Sequence, residues 1–410
     1  MTTTPNPEKL RVIIAGGGVA ALETALALQQ LAPEQTTTTV IAPNEEFVYR
    51  PMTVREPYAY PGARRYPLAQ IVRDAGAELL TDELAWVDHD THTLHTKAEQ
   101  ALEYDALVLA LGARAVPRYQ HAITIDDRHL DKAMHGLIQD IEGGYIDSVA
   151  FLSPGRMAWP LPLYELALMT AGRAYDMNVE LSTTIITPED SPLAIFGSTA
   201  SSTIAERLER AHIKTITSAY AEVPNPGEVV INPGDHRLHV NRVIALPELY
   251  GPSVRGIPLS EHGFIRVDPY GRVRDVEGVY AAGDAIDFPV KHGGIGSQQA
   301  DVAAQSIAAL AGASVTPEPF NPVIHGMLLT DDKPLYLTAH IAGGHGFSSE
   351  ITDTPTWSPP SKIAARYLAP YLDELDKKST AGDRTPTGKP ATPGDHDRAG
   401  EQTRVAGAST

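Results

Sequence analysis

The chain has no cysteine among its 410 residues. That absence excludes disulfides, thiolate metal sites, a CxxC redox pair and any cysteine nucleophile. Long apolar runs are missing too: none approaches the roughly 18 residues that a membrane-spanning helix requires. The opening residues, Met1-Thr2-Thr3-Thr4-Pro5-Asn6-Pro7-Glu8, have neither the basic stretch nor the apolar core of an export signal, so a cytoplasmic location is expected. Basic residues are in deficit. Lys and Arg number 33 against 51 Asp and Glu, a net charge of −18. Such a surface repels phosphate backbones and gains nothing from anionic lipid heads, so nucleic acid is not an expected partner.

What is present suits a folded globular protein of two or three domains, with 42% hydrophobic and 20% charged residues. The run Arg11-Val12-Ile13-Ile14-Ala15 predicts a strand over 11–16. It leads into Gly16-Gly17-Gly18-Val19-Ala20-Ala21 and a helical pattern over 19–32. Strand, glycine turn and helix in that order suit a dinucleotide diphosphate. Glycine permits the tight turn and close approach, and the helix N-terminus offers free N–H groups and partial positive charge. Far downstream, Ala281-Ala282-Gly283-Asp284 places an acid at a strand end. Together the two segments describe one long cofactor lying across a sheet.

Further strands are predicted at 37–42, 104–110, 149–152, 181–187 and 215–217, with β-rich stretches over 78–96, 237–245 and 263–282. Helices are predicted at 68–75, 163–175, 201–211, 297–310 and 362–375, the last kinked by Pro370. After Asp376, Pro, Gly, Thr and charge dominate, and disorder is expected.

These segments, with Phe47-Val48-Tyr49-Arg50-Pro51, Tyr104 to Ala113 and Lys291-His292-Gly293-Gly294, resemble the two-dinucleotide-domain flavoproteins of the pyridine nucleotide-disulfide oxidoreductase superfamily. Type II NADH dehydrogenases, sulfide:quinone reductases and the flavin subunit of flavocytochrome c sulfide dehydrogenase belong there. The resemblance implies an α/β fold of two Rossmann-like, three-layer domains, the second inserted in the first, plus a small C-terminal α+β domain. The implied boundaries are 1–117 and 256–315 for the FAD domain, 118–255 for a degenerate NAD(P)-type domain, 316–375 for the C-terminal domain and 376–410 for the tail.

The resemblance also implies noncovalent FAD and roles for particular residues. Gly16, Gly17, Gly18, Val19, Ala20 and Ala21 would cradle the diphosphate, and Asp284 beside Gly283 would meet the ribitol or phosphates. Arg50 would touch phosphate or adenine, and Ala110 and Gly112 would lie along the cofactor. Gly293 and Gly294 would open a helix facing the flavin, with Lys291 a candidate for tuning its potential. Glu165, in a helix's first turn, would relay protons, position a donor or serve only the helix dipole.

The chain also departs from the family. The acid that closes the second strand and holds the adenosine ribose is replaced by Ala42, in Val40-Ile41-Ala42-Pro43-Asn44-Glu45. Either Asn44 or Glu45 substitutes, or FAD is held less tightly at that end. In the second domain, alignment on Glu165 puts Ala158, Pro160 and Leu163 where glycines belong, which argues against ordinary NAD(P)H binding. The segments 159–167 and 186–197 resemble the sulfide-oxidising branch, whose paired-cysteine chemistry this chain cannot perform.

His89, His92 and His95 are spaced so that a strand would point them to alternate faces, and no metal site is expected. His340 and His345, flanking Gly343-Gly344, are weak candidates for an acceptor contact. The last predicted helix suits core or homodimer packing, with peripheral membrane contact as the alternative. The expected function is two-electron transfer from a small-molecule donor through FAD to a quinone or protein acceptor, without a redox disulfide. The alternatives are an NAD(P)H-dependent reductase with an atypical nucleotide site and a non-catalytic FAD-binding subunit.

Overall fold

The apolar run near the start forms the strand Leu10–Ala15, the middle of a five-stranded parallel sheet in the computed structural model. The order is Val279–Ala281, Ala106–Leu109, Leu10–Ala15, Thr36–Ile41, Glu78–Leu80. Ile14 pairs with Val40 on one side and with Val108 on the other. All four residues of Ala106–Leu109 are buried, as parallel strands covered on both faces require. Residues 9–382 are described, except 59, 127–128, 156–158, 331–332 and 343–344.

Helix α1 (Val19–Leu31) follows the glycines, and eight of its thirteen residues are buried. It has no side-chain cap and no charged ends. Burying Leu22 and Leu28, at about 1.5–3 kcal/mol each, outweighs that lack. Helix α2 (Leu68–Asp74) precedes the edge strand. The expected β-rich stretch is a meander of Leu84–Asp88, Thr93–Thr96 and Ala101–Glu103.

Helix α3 (Leu130–Glu142) leads to a second five-stranded parallel sheet, in the order Ile123–Thr124, Arg242–Ala245, Ser148–Leu152, Ser182–Ile186, Ile213–Ile216. Helices α4 (Leu161–Asp176) and α5 (Ser198–Arg210) connect its strands. Three antiparallel strands, Val323–Leu328, Leu335–Ala342 and His345–Thr352, follow helix α6 (Gly293–Leu310). The chain is thus α/β with two Rossmann-type parallel sheets.

The last helix differs from expectation. Helix α7 spans Leu368–Gly382, so Pro370 stands in its first turn, where a missing N–H costs nothing and no kink is needed. Residues through Tyr371 form one compact unit. Leu372 begins a second, whose described part is the continuation of α7 to Gly382. Residues 376–382, placed in the tail by the sequence, are therefore helical, and 383–410 lie outside the described residues.

Candidate functional site

Three glycines separate Ala15 from α1, and each has a different reason to lack a side chain. Gly16 has φ +132°, and a Cβ there would fall 2.2 Å from the Ala110 carbonyl oxygen. A Cβ on Gly17 would come 2.9 Å from that of Ala42. On Gly18, the residue before α1, a Cβ would meet nothing within 4 Å. The helix therefore opens on an uncapped set of backbone N–H groups behind a bare glycine.

A cleft of about 1360 Å³ runs from this cradle. Gly16, Gly17, Gly18, Val19 and Ala20 line its first part, and Asn44 and Arg50 line the wall beyond the second strand. Ala110 and Gly112 follow the strand Ala106–Leu109 into it, Gly112 with φ +73° and open space around it. Gly283 and Asp284 enter from the strand Val279–Ala281, in a single tight turn over Gly283–Ala285. Lys291 and Gly293 line the part beside the start of α6. The topology thus brings the opening glycines and the distant Asp284 to one cavity.

Three sequence-predicted residues take other places. Ala42 is fully buried beneath Gly17, and Asn44 and Glu45 present the second-strand wall instead. Ala21 is fully buried, while its neighbour Ala20 lines the cleft against Gly283. Gly294 packs under the His292 ring, where a Cβ would come within 2.9 Å.

Lys291 is buried, donates to the Ile286 carbonyl, and has its Nζ 3.9 Å from the Phe264 ring centroid. Burial pulls it down to about 8, against Asp284 and Asp287, which favour the charged form. It remains a cation at neutral pH. His292 is buried against Trp159, ring centroids 4.3 Å apart, and burial drives it down to about 3. It is a neutral imidazole.

Glu165 is wholly buried, and its role differs from a helix-dipole acid. Its Oε1 accepts the Leu329 N–H at 2.8 Å, and both oxygens lie 2.7 Å from the Nζ of buried Lys362. Burial pushes the carboxyl up and the ammonium down, and their mutual attraction opposes both. Both line the cleft, with Ile363, whose N–H donates to the Tyr49 hydroxyl at 2.9 Å. Sequence reasoning missed Lys362, His292 and Trp159 as cleft residues. Lys362 sits in Ser361-Lys362-Ile363, where no spacing marks it, and the sequence placed it at the start of the last helix, read as a packing helix.

In the second sheet the corresponding turn is rebuilt. Eight residues, 153–160, separate Leu152 from α4, against three in the first. Pro160 and Pro162 remove N–H groups at the helix start, and the Leu163 N–H is taken by the Pro160 carbonyl at 3.0 Å. Ala158, one of the three expected non-glycines, lies outside the described residues. After the strand Ser182–Ile186, Glu189 is bound by Tyr164 at 2.7 Å and Thr187 at 3.0 Å. Its carboxyl is pushed up to about 7 by burial.

The three histidines of the meander have separate surroundings: His92 stacks on Tyr104, His95 on Trp86, and His89 faces Asp90. His340 is exposed on the strand Leu335–Ala342; Gly343 and Gly344 lie outside the described residues. Among the described residues no helix is long and apolar enough to cross a membrane.

A glycine cradle on a parallel sheet, joined by one cleft to an acid on a distant strand of that sheet, defines a Rossmann-type dinucleotide-binding protein. The family model described as pyridine nucleotide-disulphide oxidoreductase matches residues 10–135 and 165–306. The chain belongs to that family and is an oxidoreductase. The match omits 136–164, the stretch holding the rebuilt turn.

An NADH dehydrogenase-like protein of Mycobacterium tuberculosis is 26% identical over 302 residues, covering 67% of this chain and 72% of that one. A sulfide-quinone reductase of Aquifex aeolicus is 25% identical over 261 residues, covering 59% of each. Among solved structures, the sulfide:quinone oxidoreductase of Aquifex aeolicus matches with TM-score 0.74 at 17% identity, over 91% of both chains. A ferredoxin reductase of Rhodopseudomonas palustris matches with TM-score 0.62 at 20% identity, over 81% of this chain and 83% of that one.

Proposed function

We propose that the protein is an FAD-dependent oxidoreductase, passing two electrons from a reduced donor through noncovalent FAD to a quinone or protein acceptor, without a redox disulfide. The observation that carries this reading is the single cleft lined by both Gly16–Gly18 and Gly283–Asp284. The residues fit the cofactor: Gly18 leaves open the space a Cβ would fill, and the α1 N–H groups behind it suit a diphosphate. The sheet built from 10–109 and 279–281 would form the FAD domain, within 1–117 and 256–315. The second sheet would form the 118–255 domain, followed by 316–375.

FAD, when bound, supplies two-electron chemistry at its isoalloxazine ring. The chain's own residues do the rest. The uncapped N-terminus of α1 binds the diphosphate, with Arg50 as a further cation, and Asp284 accepts hydrogen bonds from hydroxyl groups. Asn44 or Glu45 takes the place of the missing second-strand acid. Lys291 holds positive charge in a dry part of the cleft. The Glu165–Lys362 pair keeps a fixed dipole at the inner wall, where water is excluded.

The donor has two readings. The NADH dehydrogenase-like relatives favour NADH. The long turn before α4, its two prolines and the inward-bound Glu189 favour a donor that needs no second dinucleotide site, as does the sulfide-quinone reductase relative. We favour the latter, in the cytoplasm or at the inner membrane face. Purified protein should be yellow, with a flavin absorbance spectrum. Anaerobic titration with NADH, NADPH, sulfide and a reduced quinone should bleach it with a non-nicotinamide donor; fast bleaching by NADH reverses the donor reading. Failure of every donor leaves a flavin-binding subunit, and a colourless protein that refuses FAD overturns the proposal.

A further inference from the structure

The segment 361–368, which carries Lys362 and Ile363 into the cleft, is held at its far end by a carboxylate. Three successive N–H groups, of Arg366, Tyr367 and Leu368, donate to Glu23 at 2.7, 2.9 and 2.6 Å. Glu23 lies on α1 and is completely buried. Hydrogen-bonded to it is Asp301 of α6, whose Oδ1 is buried and without a partner. Two buried carboxyls in contact do not both ionise. Three N–H donors hold the charge on Glu23, so the proton resides on Asp301.

The surrounding groups do not relieve this. Burial and Glu23 push Asp301 up to about 8, and the exposed Arg366 opposes them more weakly. Burial keeps the Tyr367 phenol neutral and also disfavours charge on His325, which shares a small cavity with Asp301.

We propose that Glu23 and Asp301 are positioning residues that couple closure of the segment 361–368 over the cleft to uptake of one proton. When the segment leaves, Glu23 loses its three donors and water reaches both carboxyls, so the proton is released. Closure is then strongest in acid. It weakens by up to about tenfold per pH unit from the ordinary Asp range near 4 until about pH 8, and is flat above. This holds for any ligand of the cleft, because the coupled groups lie behind its wall.

Hydrogen exchange of the full chain, followed by mass spectrometry from pH 5 to 9 and corrected for intrinsic exchange, tests it. Protection of amides 366–368 should fall with pH to about 8 and then level, while amides of the strand Ser148–Leu152 show no such slope. Asp301→Asn, a neutral donor to Glu23, and Asp301→Leu, which carries no proton, should both abolish the slope. Glu23→Gln should lose protection about tenfold or more at every pH. Protection independent of pH in the wild type, a slope that survives in either Asp301 variant, or an equal slope in Ser148–Leu152 would overturn the proposal.

Discussion

Lys362 Nζ stands 2.7 Å from both carboxylate oxygens of Glu165, across 197 residues of chain. Neither side chain is more than 6% exposed. A pair this dry gains strongly from mutual attraction but has lost the hydration of both charges, so its net contribution is small. Breaking it is different. Lys362→Met strands a buried carboxylate and should cost about 3–5 kcal/mol in chemical denaturation. Adding Glu165→Gln should recover most of that loss. A single variant within about 1 kcal/mol of wild type would contradict the ion pair.

Two neighbouring glycines should respond oppositely to alanine. Gly16→Ala drives a Cβ toward the Ala110 carbonyl from a positive φ, and should destabilise the whole fold. Gly18→Ala meets nothing of the protein and should leave melting unchanged. It should nonetheless weaken FAD binding by about tenfold or more, read by fluorescence titration, because the methyl enters the diphosphate cradle.

Lys291 is a buried cation of the cleft beside the start of α6, and its folded-state pKa lies below the ordinary lysine value, at about 8. The cation is therefore present below pH 8 and lost as pH rises through it. Lys291→Met should lower the midpoint potential of the bound flavin by on the order of 30 mV at pH 7, equivalent to about 1.4 kcal/mol. Above pH 9 the difference from wild type should nearly vanish. A potential equal to wild type at pH 7 would remove Lys291 from the tuning role.

Thiol chemistry offers a further check. With no cysteine in the chain, alkylation by N-ethylmaleimide should leave electron transfer from the true donor unchanged. Sulfide should leave no persulfide mass on the protein. Inactivation by the alkylating agent would point to an amine required for turnover, with Lys291 the first to test.

Much of the framework was legible from local pattern. Val12-Ile13-Ile14 followed by three glycines and an alanine-rich run can bury its apolar atoms only as strand, turn and helix, and it does. That Asp284 shares a cleft with that turn was implied by the family resemblance, because the sheet topology and no local pattern brings the two together. Ala42, Ala21 and Gly294 do not line the cleft, since a motif names small residues without saying whether a ligand or the protein demands the space. Lys362 was read as the first residue of the last helix, because amphipathic spacing cannot report a partner on a distant helix. Helix α7 likewise begins at Leu368, just where Glu23 accepts its first N–H groups.

The order of residues alone set the strand and helix repertoire, the glycine turn and the exclusion of thiol chemistry, because backbone sterics, apolar periodicity and residue inventory act locally. Only the tertiary structure decided which charges are buried together: Glu165 with Lys362, and Glu23 with Asp301 and three N–H groups. Ionisation depends on the water a fold removes and the partners it supplies, and both come from chain segments far apart in sequence.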